Sequence, residues 1–424
     1  MAEFGYRRST LENGIRVVTE RMPSLKSISL GIWFDVGSRN ESAEINGISH
    51  FIEHMIFKGT ETRDAREIAQ SLESLGGTLN AFTSREYTCY YARLLDEHLG
   101  TGLDILSDIL TNSLFAAAEV ERERQVILEE IKDQLDTPSD IIHDRFASIA
   151  WSDHPLGRPI IGNPTTVGAV TRESLLDYLA KNYTTDRVVI AAAGNVDHDD
   201  LVRQVAERFS FAAGNGGNQL LPPTYGPGER QAFQRDSAQT HICLGVPTFS
   251  FADPAKYALL VVNTILGSGM SSRLFQSVRE QHGLAYSIYT MQDYYHDTGF
   301  FSVYLATEAA KAAQAVGLVL KELKEIKTNS LTAEELALAK SQLKGNMVLS
   351  LESSYNRMSR MARHELFLQS FATLDETMAA INAVTLEQVH ELVDKVFDGG
   401  KLAFAALGPV DDSLLEQIDW ATLK

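Results

Sequence analysis

The sequence predicts an α+β protein built from two homologous domains, each an antiparallel sheet packed with helices, and three observations lead there. At 424 residues the chain exceeds what one ordinary hydrophobic core organises. Near its middle, "AAGNGGNQLLPPTYGPGER" (212–230) replaces apolar periodicity with Gly, Asn and Pro, the composition of a linker. The halves on either side carry the same patterns in the same order, as an internal repeat does. The expected division is an N-terminal domain at 1–213, a linker at 214–229 and a C-terminal domain at 230–424.

Taken in order, "NGIRVV" reads as a turn entering a strand. "SISLGIWFDVGSRNESAEINGISHFIEH" follows as an alternating strand, a polar loop and an apolar helix. "LGGTLNAFTSREYTCYYARL" is a glycine turn leading into a long strand and its neighbour, with Gly76 and Gly77 forming the tight turn. The second half repeats the series as "HICLGVPTFSFADPAKYALLVVNTILGSG" and then "HGLAYSIYTMQDYYHDTGFFSVYL". Both halves continue into long helical patterns, including 119–136 and 332–351. Runs of strands with helices packed against them are the α+β pattern.

Composition narrows the function classes. Hydrophobic residues make up 44% and charged residues 22%, enough apolar mass for packed globular cores. A net charge of -18 argues against a nucleic-acid partner, because an acidic surface repels phosphate, and it suits basic peptides instead. Cys89 and Cys243 have no Cys-x-x-Cys spacing and sit in apolar strand patterns, so buried free thiols in a reducing compartment are expected. The first residues lack the apolar core of a secretory signal, and no apolar run approaches the roughly 20 residues of a membrane helix. The expectation is a cytoplasmic protein with no membrane partner.

The chemistry concentrates in "GISHFIEHMIFKGT" (47–60). On a helix, residues four apart share a face, so His50 and His54 can direct ring nitrogens at one cation. Glu53 borders that face and can reach a water on the cation. This is the H-E-x-x-H arrangement of zinc peptidases in the reverse direction along the helix. The second half does not repeat it: from 242 to 279 it contains neither His nor Glu. A catalytic zinc usually takes three protein ligands, and the helix "EVERERQVILEEIKDQLD" offers Glu119, Glu121, Glu123, Glu129 and Glu130. Glu123 and Glu130, two helical turns apart, share a face that can aim Glu130 at the metal and leave Glu123 to orient a water or a ligand imidazole. Glu129 is the rival ligand, about 100° away around the helix. Without a metal, two hydrogen-bonded helix histidines are the alternative. The other histidines, His98, His143, His154, His198, His282 and His364 among them, show no ligand spacing.

"HFIEHMIFKGT", "LGGTLNAFTSREYTCYYARL" and "ERERQVILEEIKDQ" together resemble the pitrilysin family of zinc metallopeptidases, the inverzincins with an H-x-x-E-H motif. The likeness extends from "TLENGIRVV" through "HPLGRPIIG" into the second half, and is strongest to short bacterial members and the catalytic subunit of the mitochondrial processing peptidase. It implies the processing-peptidase-like fold, one Zn2+ per chain held by His50, His54 and Glu130, and Glu53 as general base. It also implies an assisting role for Glu123, and from "SVREQHGLAYSIY" a catalytic Arg279 and Tyr286, with the tyrosine donating to the oxyanion. "LNAFTSREYT" resembles the family's substrate-binding edge strand, with Asn80, Ala81 and Phe82 as the contacts nearest the metal. Family members enclose substrate in a clamshell of four such domains, which for a two-domain chain implies a homodimer with Arg279 and Tyr286 closing on the partner's zinc site. The implied activity is a zinc endopeptidase or oligopeptidase acting on peptides and unfolded segments. The alternatives are a noncatalytic peptide-binding or core-type structural subunit of the same fold, and a metallohydrolase of non-peptide substrates.

Overall fold

The computed structural model describes residues 5–214, 220–225, 227–328 and 331–423. Of the expected linker, 215–219 and 226 lie outside the described residues, and the remainder carries no helix or strand. The chain forms two compact units, each gathered from three segments. The first comprises residues up to Lys132, Arg158–Leu221 and Ser350–Phe371, and the second Asp133–Gly157, Pro222–Leu349 and the residues from Ala372 onward.

In the first unit the strands are β1 (Gly5–Thr10), β2 (Arg16–Arg21), β3 (Ser27–Phe34), β4 (Thr78–Thr83), β5 (Thr88–Leu95) and β6 (Val188–Gly194), in the order β1-β2-β6-β3-β5-β4. All pairings are antiparallel except β2 with β6. Alternation along central β3 sends Ile28, Leu30, Ile32 and Phe34 to one face, into the large core that includes Phe51, Ile52 and Met55. Trp33 faces the other way, onto Met358, Met361, Ala362 and Leu366 of the helix Ser354–Leu368. The sheet is thus covered on both faces, which is why β3 is buried from Ile28 onward.

The second unit holds β7 (Arg230–Gln234), β8 (Thr240–Thr248), β9 (Ala285–Tyr294), β10 (Gly299–Thr307) and β11 (Ala403–Gly408), ordered β7-β11-β8-β10-β9. Its parallel pair is β7 with β11. This order matches β2-β6-β3-β5-β4 strand for strand, so the repeat legible in the sequence is a repeat of topology, each sheet antiparallel apart from one parallel pair. On one face Ile242, Leu244 and Val246 pack with apolar residues of the helices Lys256–Gly267, Ala312–Lys327 and Leu386–Val396. On the other, Cys243, Phe300 and Tyr304 meet Ile142, Phe146 and Trp151, from the helix Pro138–Ala150 and the residue that ends it.

The helix on the second face of each sheet therefore comes from the other half of the sequence. Pro138–Ala150 belongs to the second unit and Ser354–Leu368 to the first, so division by compactness is not division at 214–229. Ion pairs hold the second exchange: Glu365, with a fully buried side chain, accepts from Arg8 at 2.8 Å and 2.9 Å and meets Arg16 at 3.5 Å, while Arg357 pairs with Glu20.

Candidate metal centre

The helix Ile48–Met55 places the motif residues. Ile48, Phe51, Ile52 and Met55 are buried, each such side chain contributing about 1.5–3 kcal/mol of hydrophobic stabilisation. His50, Glu53 and His54 fall on the half-buried opposite face. The helix begins at Gly47, whose left-handed φ of 98° and lack of a Cβ let it pass Gly162; a Cβ there would lie 2.7 Å from the Ile161 carbonyl. Its first amides are bound by a distant carboxylate. Glu41 accepts from the Gly47 and Ser49 amides at 2.8 Å and from Asn46 Nδ2 at 2.9 Å. Burial pushes the Glu41 carboxyl up to about 7 against these hydrogen bonds.

The helix Ala117–Leu135 brings the third donor. Val120, Glu123, Ile127 and Ile131 form its buried stripe, and Glu130 stands half-exposed two turns beyond Glu123. Glu130 lies 3.9 Å from His50 Nε2 and 3.5 Å from His54 Nε2, and the three residues offer donor atoms all within 4.8 Å of one another. Two ligands about 2.0–2.1 Å from a tetrahedral zinc are themselves about 3.4 Å apart, so the spacing suits one such ion. It is the one His/Cys/Asp/Glu grouping of this kind found among the described residues. Glu129, the rival ligand, is turned to Lys132 at 2.6 Å.

Burial and neighbouring carboxylates act on the two imidazoles differently. Burial, reinforced by His54, pulls His50 down to about 4, so it is neutral and can present a lone pair. Burial also pulls on His54, but hydrogen bonds with Glu130 and Glu123 outweigh it and raise its pKa. The hydrogen bond from His54 is the main cause that lowers Glu130. Glu123 lies 3.2 Å from His54 Nδ1, which leaves Nε2 for a cation, and Lys58 holds its other oxygen at 2.8 Å. A neutral imidazole, a second imidazole fixed through Nδ1 and a carboxylate form a donor set that fits zinc.

Glu53 points to β4. Burial raises its pKa, and a hydrogen bond of 2.6 Å donated by Thr83 Oγ1 to Oε2 works in the opposite direction. Neither Lys58 nor Thr83 belongs to a metal-ligand pattern in the sequence. Period-2 alternation along "TLNAFT" puts 79, 81 and 83 on one face, and the structure turns that face to the site helix.

The three expected substrate contacts divide across that strand. Ala81 packs toward the core beneath the site helix. The ring of Phe82 turns to the other face, 5.6 Å from Trp33 and near Tyr87 and Tyr91, and so away from the metal ligands. Asn80 is exposed, and its Oδ1 accepts the Ala81 amide at 2.8 Å. β4 is the sheet's outer strand, beyond β5.

Arg279 and Tyr286 lie in the second unit, on the π-helical segment Phe275–Gln281 and at the start of β9. Arg279 Nη1 donates to the Tyr286 carbonyl at 2.8 Å, and its guanidinium sits 4.6 Å from the centre of the Tyr286 ring. The tyrosine is 74% exposed.

The chain resembles known proteins along most of its length. The family description "Insulinase (Peptidase family M16)" matches residues 16–164, and "Peptidase M16 inactive domain" matches 169–343. The uncharacterized zinc protease YmxG of Bacillus subtilis is 43% identical over 392 residues, covering 92% of this chain and 95% of its own. An uncharacterized zinc protease of Mycobacterium leprae is 41% identical over 411 residues, covering 96% and 92%. Among solved structures, a peptidase M16 inactive domain from Pseudomonas fluorescens superposes with a TM-score of 0.90 at 22% identity over 96% of this chain and 98% of that one. A protease from Helicobacter pylori gives 0.88 at 22% identity, covering 96% and 99%, and both show the same fold. Relatives this similar along nearly the whole chain establish that it belongs to peptidase family M16, the pitrilysin family.

Proposed function

We propose that the protein is a zinc endopeptidase or oligopeptidase hydrolysing unstructured peptides. One observation carries the reading: His50, His54 and Glu130 converge as a zinc donor set, with Glu53 beside them on the same helix. The names of the M16 relatives, zinc proteases, support it. Zinc, when bound, supplies Lewis acidity toward water and a peptide carbonyl. Glu53 takes a proton from the attacking water on its carboxylate and returns it to the leaving amine nitrogen. Burial raises the pKa of that carboxylate. Glu123 and Lys58 orient His54. To Tyr286 we assign a hydrogen bond to the developing oxyanion, and to Arg279 the holding of that tyrosine. β4 is the strand to which an extended peptide adds, its outer position in the sheet supporting the assignment.

Peptides rich in Lys and Arg are the favoured substrates, given a net charge of -18. Enclosure in a clamshell of four domains takes two chains, since one supplies two, and a second copy of this chain is the partner we assign. Two buried free thiols, Cys89 and Cys243, suit the reducing cytoplasm. No described helix is long and apolar enough to cross a membrane.

The deciding experiment compares wild type with Glu53→Gln, measuring zinc per chain and cleavage of a library of unstructured basic peptides. One zinc in each, with cleavage by the wild type alone, is expected. Equal cleavage by both would refute the base assignment. Zinc-replete wild-type protein that cleaves nothing would favour the noncatalytic subunit.

A further inference from the structure

Thr83 ends β4, and its hydroxyl makes a 2.6 Å hydrogen bond to Glu53 Oε2. A carboxylate has two oxygens, and a general base uses one. A free glutamate side chain samples many rotamers, and partial burial limits its space without selecting the oxygen that faces the reaction. A donor fixed to one oxygen makes that selection.

The donor is itself held on both sides. Toward β5, Thr83 pairs with Thr88 in register. Beyond it the chain turns, with the Ser84 amide donating to the Tyr87 carbonyl at 2.8 Å. That turn is fastened to the loop preceding the site helix: the Ser38 amide reaches the Ser84 carbonyl at 3.2 Å and the Arg39 amide the Arg85 carbonyl at 2.7 Å. The side chains of Arg39 and Glu86, both buried, pair across the same junction at 2.5 Å. Gly37 allows the approach, because a Cβ there would lie 2.3 Å from the Ser84 carbonyl oxygen. The loop, the hairpin turn and the end of β4 are thus tied together, and Thr83 is presented to Glu53 from a supported backbone.

We propose that the Thr83 hydroxyl is a positioning group for the general base: by holding Oε2 it sets the Glu53 rotamer from which the proton is transferred. The proposal rests on the peptidase reading of the site. It also makes the strand offered to the peptide the strand that aims the base.

Zinc-loaded wild type, Thr83→Val and Thr83→Ser are compared for kcat, KM, zinc per chain and thermal stability, together with crystal structures of wild type and Thr83→Val. Valine keeps the shape and removes the donor, while serine keeps the donor. The expected result is a fall in kcat of about tenfold or more for Thr83→Val, with KM within about twofold and zinc unchanged, near-complete recovery in Thr83→Ser, and a turned or divided Glu53 carboxylate in the valine crystal. The proposal is overturned if Thr83→Val keeps its kcat, if Thr83→Ser is equally impaired, or if Glu53 holds one and the same rotamer in both crystals. Should zinc-loaded wild type cleave no peptide, the peptidase reading fails, and the crystal comparison still decides the role of Thr83.

Discussion

Lys58 connects to the motif from outside it, through Glu123. Its ammonium lies 2.8 Å from Glu123, whose other oxygen meets His54 Nδ1, so the chain of contacts Lys58, Glu123, His54 determines which imidazole nitrogen is left for zinc. Lys58→Met should weaken zinc affinity about tenfold or more, read by competition with a chromogenic chelator; an unchanged Kd would show that Glu123 needs no cation beside it. Glu41 acts at the same scale through protonation. Its folded pKa, raised by burial to about 7, exceeds the ordinary carboxylate value, so between those values the folded state holds the proton that the unfolded state releases. Stability must then fall as pH rises from about 5 to about 8, by on the order of a few kcal/mol. The groups around it are the Gly47 and Ser49 amides, Asn46, Tyr178, Tyr183 and Arg158, which donates to the Glu41 carbonyl. Urea midpoints measured across that range should decline in the wild type and flatten in Glu41→Gln. A slope shared by both proteins would assign the effect to another group.

Among the elements, the helix Ser354–Leu368 has the clearest energetic signature. It lays Met358, Met361, Ala362 and Leu366 on the sheet face opposite the site, and Glu365 fastens it to β1 and β2 through Arg8 and Arg16. Replacing Glu365 by Ala leaves Arg16 poorly compensated in a buried position. A loss of about 3–5 kcal/mol is expected for the first unit, seen as an earlier unfolding transition. A change under about 1 kcal/mol would mean that apolar packing alone holds the helix. The site helix relies on different means: one buried apolar face, a glycine at its start and a remote carboxylate on its first amides.

At the scale of the whole molecule, zinc should act as a cross-link. The three ligands we propose sit on the helices Ile48–Met55 and Ala117–Leu135, so an ion bound to the folded chain stabilises it by mass action, about 4 kcal/mol at a thousandfold excess over Kd. Chelation should lower the Tm by several degrees, and stoichiometric zinc should restore it. Glu130→Gln should show a much smaller shift. A wild-type Tm indifferent to zinc loss would mean that the ion binds weakly at these residues or binds the unfolded chain as well.

What the sequence by itself determined was whatever depends on local pattern. The i, i+4 spacing of His50 and His54, the alternation of β3, the repeated series of strand, loop and helix patterns in the two halves and the phase of Glu123 and Glu130 on one helix are all written in neighbouring residues. Tertiary structure decided what depends on distant segments meeting. It turned Phe82 toward Trp33 and Thr83 toward Glu53, because strand alternation shows that two residues oppose one another but not which face meets which helix. It gave Glu129 to Lys132 and joined Lys58 to Glu123. It carried Pro138–Ala150 and Ser354–Leu368 into the units of the opposite sequence halves, an exchange that no local periodicity encodes because an amphipathic helix specifies an apolar face and leaves the partner sheet open.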